Sequence, residues 1–446
     1  MKKLRIAQIT DIHLRKNIPG SCALPDRHSR RMPELLPLVL NEIKKLNTDF
    51  IAVTGDLVDV PLHVTTPVPG FSQDSPSFWR KAAYKDYKLI KSILDSQPLP
   101  YMVLHGNHDL DSLFWKVFDK SKNMITVNGC EIIRFCDYEH TCNIPRRFFP
   151  EKVRWEEALK TSGAGPQIHL QHYVISPPII HSYPHNYRES DYLMNRMNES
   201  KKQILSLSGH YHPGVGMIKK GNCWFSVCPA LCHRPFPFRV YDVSINSVQC
   251  KEYSLEKQGN SKKKAFFLDR DGVVSKLPSY HRGPEAMELL PGTAKAIRLL
   301  NKTGYAVIVV SNQRCIGRGY VPEDIVHAVN DKMCRLLAED KAFVDAVYFS
   351  KTEDKHPVLP EYSKDTESKP SPMLLHKAIH EYNLTIEGSY MIGDRWDDLE
   401  AGINTGVKPV LVRTGYGRET EGIYRERFKK VPVYDDLLKA IEDLLK

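Results

Sequence analysis

The chain has 446 residues, too many for one ordinary hydrophobic core and enough for two domains of common size. With 41% hydrophobic and 26% charged residues it has a folded, globular composition, and no run approaches the ~20 apolar residues of a spanning helix. The net charge of +10 is concentrated early: residues 1–260 hold 34 Lys and Arg against 25 Asp and Glu, a diffuse excess that suits an anionic substrate and contains no basic run pointing to nucleic acid.

The opening MKKLRIAQITDIHL has no apolar secretion segment and reads as the first strand of a cytoplasmic protein. Apolar runs and helical periodicity then alternate: strand 5–8, helix 33–46, strand 50–54, helix 78–95, strand 101–104, the rhythm of an α/β layered domain. From 206 to 253 the pattern turns to short β segments that close a sandwich. EKQGNSKKK is polar and lacks apolar anchors, so we place a linker at 257–263 between domains 1–256 and 264–446. A second rhythm follows: strand AFFLD, helix 292–301, strand YAVIVVS, helix 322–338, strand VDAVYF, helix 371–382, strand SYMIG, helix 397–406, strand KPVLVR. It predicts a doubly wound parallel sheet, whose ligands bind outside the carboxyl ends of the strands. The ten cysteines read as free thiols. Cys228 and Cys232 lack redox or zinc spacing, and Cys130, Cys136 and Cys142 read as core.

Divalent metals need carboxylate, imidazole and amide donors converging from several strand ends. The first half supplies them in order: Asp11 and His13 in TDIHL, Asp56 in TGDLVD, Asn107 and His108 in HGNHD, His172 in LQHYV, His210 and His212 in SGHYHPG. Alternation along an extended D-x-H segment is expected to put Asp11 and His13 on one face. His172 is preferred to His169 because it stands at the carboxyl end of their strand. His28, His63, His105 and His181 read as surface histidines. Arg27, His28, Arg30 and Arg31 form either a solvated loop or a phosphate-binding lip.

The order of these five blocks resembles the calcineurin-like metallophosphoesterases over about residues 4–255. The resemblance implies a four-layer α/β/β/α sandwich and two metals, Mn, Fe or Zn. Asp11, His13, Asp56 and His212 would hold one, and Asp56 as bridge, Asn107, His172 and His210 the other. His108 would serve the leaving oxygen, oriented by Asp59 or Asp109.

In the second half, FFLDRDGVV is a buried strand ending in Asp269, two residues before Asp271 and then Gly272. Asp269 can attack phosphorus, and Asp271, projecting the same way, can carry the leaving-group proton. Ser311 and Asn312 in VVSNQ and Lys369 in ESKPSP supply donors for a phosphoryl group, while Asp394 and Asp398 in MIGDRWDD supply further carboxylates. These blocks resemble the haloacid dehalogenase (HAD) superfamily over about residues 264–446. With SYHRGPEAMELLPG, SNQRCIGRGY and VLVRTGYG they resemble its histidinol-phosphate and D-glycero-D-manno-heptose 1,7-bisphosphate phosphatase branch. That implies Asp269 as nucleophile, Asp271 as acid/base, Mg held by Asp269, the Asp271 carbonyl and Asp394, phosphate bound by Ser311, Asn312 and Lys369, and Arg318 near the distal part of the substrate. The branch's zinc loop is expected to be absent: Ser350, Asp365 and Glu367 stand about where thiolates belong, and Ser368 where an arginine precedes the lysine. The spacing leaves no room for a large cap.

The sequence therefore predicts a bifunctional phosphohydrolase, a dimetal phosphoesterase for a phosphodiester or nucleotide-type substrate fused to a Mg-dependent phosphatase for a small phosphomonoester such as heptose bisphosphate. Its expected partners are small phosphorylated metabolites, not membranes. Nucleic-acid end processing, or a first half acting as an interaction scaffold, remain the alternatives.

Overall fold

The structure is a computed structural model that describes residues 2–21, 24–61, 64, 76–140, 143–160, 165–179, 185–200, 202–255, 262–277, 280–353, 357–358, 360–363 and 367–446. His63, Cys142, His181, Asp365 and positions 257–261 of the expected linker lie outside them. The chain divides into two compact units. One comprises Met1–Ile18, Ser29–Val60 and Ser77–Gly259; the other comprises Pro19–His28, Pro61–Pro76 and Asn260–Lys446. No helix among the described residues is long and apolar enough to cross a membrane.

The first unit carries two sheets. One has the order Ser247–Ser254, Pro237–Ser244, Leu4–Ile9, Phe50–Thr54, Tyr101–Leu104, with the last three strands parallel; the other has six strands centred on Ile204–Ser208 and Gln167–Leu170. Alternate residues explain the layering. Leu4, Ile6, Phe50, Ala52, Met102 and Leu104 pack against Ile132, Ile168, Leu170, Leu205 and Leu207 of the second sheet. Intervening Ile51 and Val53 are buried as well, so these strands read as continuous apolar runs.

The second unit holds one parallel six-stranded sheet in the order Ala346–Ser350, Ala306–Asn312, Ala265–Leu268, Tyr390–Gly393, Lys408–Val412, Val433–Tyr434. Its two faces form separate cores. Phe266, Leu268, Val307 and Val309 pack with Ile297, Leu300 and Leu437, whereas Phe267, Ile308 and Val310 pack with Leu374, Leu375 and Ala378. The order reverses at Ala265–Leu268, the switch point where a doubly wound sheet opens a crevice. Among the described residues between that strand and the helix Thr293–Thr303, only the 3-10 segment Tyr280–Ala286 intervenes.

Several expectations are corrected. His28 and His105 are buried, not on the surface. The His105 ring sits 4.8 Å from Tyr138 and 5.7 Å from Trp115, and burial pushes its pKa down to about 4. The Arg27–Arg31 stretch is not a solvated loop: Arg27 and His28 are buried, and the Arg31 guanidinium lies over the Phe236 ring. Pro19–His28 belongs to the second unit, where Tyr382 Oη donates to the Pro25 carbonyl at 2.9 Å and the Tyr382 ring lies 4.4 Å from His28.

Candidate metal centre and phosphoryl-transfer site

In the first unit the candidate ligands follow strand ends. Asp11 and His13 come after Leu4–Ile9, Asp56 after Phe50–Thr54, Asn107 and His108 after Tyr101–Leu104, His172 after Gln167–Leu170, and His210 and His212 after Ile204–Ser208. φ is 51° at Asp11, 47° at His13, 52° at Asp56 and 67° at His210. Such left-handed backbone persists in non-glycine residues where surrounding contacts over-determine it. The alternation expected for Asp11 and His13 is therefore corrected: the strand ends at Ile9, and left-handed turns rather than a pleat aim the two side chains.

Donor atoms from these loops face one another. His13 Nε2 lies 3.3 Å from His212 Nε2 and 3.6 Å from Asp56 Oδ2, and His212 Nε2 lies 3.4 Å from Asp11 Oδ1. His172 Nε2 lies 3.4 Å from Asp56 Oδ2, 3.1 Å from Asn107 Oδ1 and 3.1 Å from His210 Nδ1. Asp56 Oδ2 is thus shared by both sets. His172 Nδ1 donates to the Thr54 carbonyl at 2.8 Å, which reserves the Nε2 lone pair for a ligand role. His169 lies inside its strand with Nε2 3.0 Å from Gln167 Oε1, and burial pushes its pKa down to about 3; only His172 joins the cluster.

Electrostatics fit divalent cations. Burial alone would lower His172, yet the Asp56 charge raises it to about 10. Burial alone would raise Asp56, yet His172 and His108 hold it well below the usual carboxylate range. Carboxylates that draw a proton onto a buried imidazole attract any cation of the right size. Gly106 leaves the space: a Cβ there would press on Asp56 Oδ1 and come within 2.6 Å of His172 Nε2. The donor set of carboxylates, imidazoles and one amide matches borderline transition metals.

His108 Nδ1 pairs with Asp59 Oδ1 at 2.8 Å, and Arg15 Nη2 holds Asp59 Oδ2 at 2.7 Å. Asp59, not Asp109, is therefore the partner of His108. Burial would raise Asp59, but Arg15 foremost, with His108, holds it well below the usual range. Asp109 instead ties the loops together, accepting from Gly106 N at 2.9 Å, Leu57 N at 3.1 Å and Tyr87 Oη at 3.0 Å. Burial, with Asp56 nearby, pushes it up to about 7. Sequence reasoning missed Arg15 and His233, whose Nε2 lies 2.7 Å from His212 Nδ1. Neither stands at a motif spacing.

In the second unit, Asp269 follows Ala265–Leu268, Ser311 and Asn312 end Ala306–Asn312, and Asp394 follows Tyr390–Gly393. Lys369 Nζ donates to Asp269 Oδ1 at 2.6 Å and to the Val310 carbonyl at 2.7 Å, and pairs with Asp398 Oδ1 at 2.6 Å. Asn312 fixes the lysine segment: its Oδ1 accepts from Lys369 N and its Nδ2 donates to the Lys369 carbonyl, both at 2.9 Å. Asp271 is held sideways by Arg270, whose Nε and Nη2 donate to its two oxygens at 2.9 and 2.8 Å. Gln313 Nε2 donates to Asp271 Oδ2 and to Ser311 Oγ, each at 2.8 Å. The roles of Arg270 and Gln313 were not legible at the sequence level.

Burial pushes Asp269 up to about 7 although Lys369 opposes it, and pushes Asp394 up to about 8 with the Asp269 and Asp398 charges adding. Asp394 Oδ2 accepts from Tyr416 N at 2.7 Å, while its buried Oδ1 accepts no hydrogen bond among the described residues. An orphaned carboxylate oxygen among surplus carboxylates fits a hard cation such as Mg. Arg318, half-exposed, pairs with buried Glu353. Where thiolates would stand, Ser350 Oγ lies 2.8 Å from both Thr352 Oγ1 and Ser368 Oγ, a buried hydroxyl cluster preceding Lys369.

Comparison with known proteins follows the same division. A calcineurin-like phosphoesterase model matches residues 4–214 and a HAD-hydrolase-like model residues 367–440. The chain is 36% identical over 183 residues to D-glycero-D-manno-heptose-1,7-bisphosphate 7-phosphatase of Thermosynechococcus vestitus, covering 40% of this chain and 93% of the relative. It is 37% identical over 163 residues to the D-glycero-beta-D-manno-heptose-1,7-bisphosphate 7-phosphatase of Haemophilus influenzae, covering 36% and 86%. Among solved structures, the D,D-heptose 1,7-bisphosphate phosphatase of B. bronchiseptica with magnesium and phosphate is 31% identical, with TM-score 0.36, covering 41% of this chain and 98% of that one. A dimetal phosphatase from Danio rerio is 11% identical, with TM-score 0.45, covering 56% and 96%. The chain is thus a phosphohydrolase whose first part belongs to the calcineurin-like phosphoesterases and whose second part belongs to the HAD-like family of the heptose-bisphosphate 7-phosphatases.

Proposed function

We propose that the second domain is a Mg-dependent aspartyl-phosphate phosphatase acting on a sugar bisphosphate of the heptose 1,7-bisphosphate type. The Lys369 contact to buried Asp269 carries this reading. Lys369 spreads positive charge over the nucleophile and over an incoming phosphoryl group, which two like-charged anions need in order to approach. Asp269 Oδ attacks phosphorus, the sugar oxygen leaves, and Asp271 delivers its proton; water then cleaves the acyl phosphate, with Asp271 taking the proton back. Because Ser311 Oγ accepts from Gln313, its own O–H is left to donate to a phosphate oxygen. Mg, held by Asp269, the Asp271 carbonyl and Asp394, would neutralise charge on the phosphoryl group.

The first domain is read as a dimetal phosphoesterase for a diester or nucleotide-type substrate, with Asp11, His13, Asp56, Asn107, His172, His210 and His212 as ligands. Two cations there would lower the pKa of water for in-line attack. His108, backed by Asp59, attends the leaving oxygen. Sequential action of the two domains is the simplest reason for one chain. The test is phosphate release from D-glycero-D-manno-heptose 1,7-bisphosphate with Mg, its position followed by phosphorus NMR. Loss of the 7-phosphate is expected, and turnover no faster than that of a generic aryl phosphate would reject the substrate assignment.

A further inference from the structure

Arg270 and Asp271 are neighbours in sequence, and along a strand their side chains would point to opposite faces. The strand ends at Leu268, and the turn that follows closes on itself: Val274 N and Ser275 N both donate to the Arg270 carbonyl, at 3.0 and 2.8 Å. The turn lays the Arg270 guanidinium along the Asp271 carboxylate, Nε on Oδ1 and Nη2 on Oδ2, while Nη1 donates to Asn330 Oδ1 at 2.8 Å. Asn330 belongs to the helix Glu323–Glu339, and both Arg270 and Asn330 are buried, so the clamp is anchored in the body of the domain. On the other side of the carboxylate, the Gln313 amide nitrogen donates to both Asp271 Oδ2 and Ser311 Oγ.

A carboxylate offers about four acceptor positions. Among the described residues, Arg270 fills two of those on Asp271, Gln313 fills a third, and Ser275 Oγ reaches the fourth only at 3.4 Å. That fourth position is left for the proton that Asp271 passes to a leaving oxygen or takes from water. The Asp271 side chain is 13% exposed against 1% for Arg270, so the carboxylate meets the crevice while its clamp does not. Gln313 is wholly buried, and its single amide nitrogen bridges the acid/base carboxylate and the hydroxyl that faces the phosphoryl group. The planar guanidinium adds direction to this frame, because a two-pronged contact fixes a carboxylate in orientation as well as in distance.

We propose that Arg270 and Gln313 are positioning residues that hold Asp271 at a set distance and angle from the phosphate seat, without touching the substrate themselves. This role presupposes Asp269 as nucleophile and Asp271 as acid and base. In the first step the bond from Asp269 Oδ to phosphorus forms, the bond from phosphorus to the leaving oxygen breaks, and Asp271 gives that oxygen its proton. In the second the water oxygen bonds to phosphorus, the bond to Asp269 breaks, and the water proton passes to Asp271. Nitrophenolate leaves without a proton, so with an aryl phosphate a misplaced Asp271 spares the first step and slows the second.

Rapid-mixing kinetics of p-nitrophenyl phosphate with the full-length protein and Mg separate the two steps, in the native chain, Gln313→Leu and Arg270→Lys; lysine keeps the charge but cannot fork both oxygens. In each variant the first turnover of nitrophenolate is expected to keep its rate within about twofold while the steady rate falls about 10²-fold, the weight of a misplacement of about 1 Å. An unchanged steady rate in either variant, or a first turnover slowed as much as the steady rate, would overturn the role of that residue. Asp269→Asn, run alongside, is expected to release no nitrophenolate; release at the native rate would overturn Asp269 as nucleophile, an outcome separate from the other two. Should neither variant fold, Asn330→Ala, which loosens the clamp at its anchor without removing a contact to Asp271, must show the same split; equal slowing of both phases there, or of neither, overturns the role of Arg270 equally.

Discussion

Lys369 Nζ lies 2.6 Å from Asp269 Oδ1, inside a pocket where both side chains are buried. The same ammonium holds Asp398 at 2.6 Å, so one cation serves two carboxylates. Lys369→Met should therefore damage stability and chemistry together. Breaking a buried ion pair costs about 3–5 kcal/mol, and loss of a charge aimed at the transferring group costs about 10²–10³ in kcat. Denaturant unfolding and steady-state kinetics with a Mg-dependent monoester check both. A variant of unchanged stability would mean that the carboxylates do not depend on the lysine.

The raised Asp269 and Asp394 make the metal-free second domain lose stability as pH rises from the acidic to the neutral range. Their folded values of about 7 and 8 exceed the unfolded ~4. Between pH 4 and 8 the folded state therefore holds more protons, and stability falls as pH rises. A bound cation replaces those protons. The rise in unfolding temperature caused by Mg should be larger at pH 8 than at pH 5, measurable by calorimetry in EDTA and in Mg. An equal rise at both would contradict the assigned cluster.

In the first domain the metal-free site stores a proton on His172, raised to about 10 chiefly by Asp56 against the cost of burial. A cation must displace it. Binding of Mn or Zn at pH 8 should release protons, seen as a calorimetric enthalpy that varies with the ionisation enthalpy of the buffer. In His172→Gln that dependence should shrink and the affinity should fall.

Asp59 fixes the tautomer of His108 through the 2.8 Å contact to Nδ1. Asp59→Asn should lower kcat of the first domain by about 10–100-fold with little change in KM, since support of this kind typically carries that weight. His108→Ala should cost about 10²–10⁴. Neither should alter Mg-dependent monoester hydrolysis.

Much of the fold was legible because both faces of the central strands are buried. FIAVT and YMVL read as strands for that reason, and the motif residues fell at their carboxyl ends. The site was legible as residue types but not as geometry. Nothing in TDIHL announces the positive φ of Asp11 and His13, which depends on contacts such as Asp11 N to the Gly55 carbonyl at 3.0 Å. Asp59 and His108 are far apart in sequence, so only the folded loops decide between Asp59 and Asp109. The Arg270 clamp on Asp271 was hidden because neighbouring residues of a strand would point apart, and the strand ends at Leu268. His105 and His28 looked like surface residues because a lone histidine carries no periodic signal. They are buried by aromatic neighbours, Tyr138 and Tyr382, that lie at remote positions in the chain.

The central claim is that one chain carries two separate phosphoryl-transfer centres, with Asp269 the nucleophile of the second. Asp269→Asn in the full-length protein tests it most directly, assayed for Mg-dependent monoester and for Mn-dependent diester hydrolysis. The monoester activity is expected to be abolished and the diester activity unchanged. Loss of both activities, or survival of the first, would contradict it.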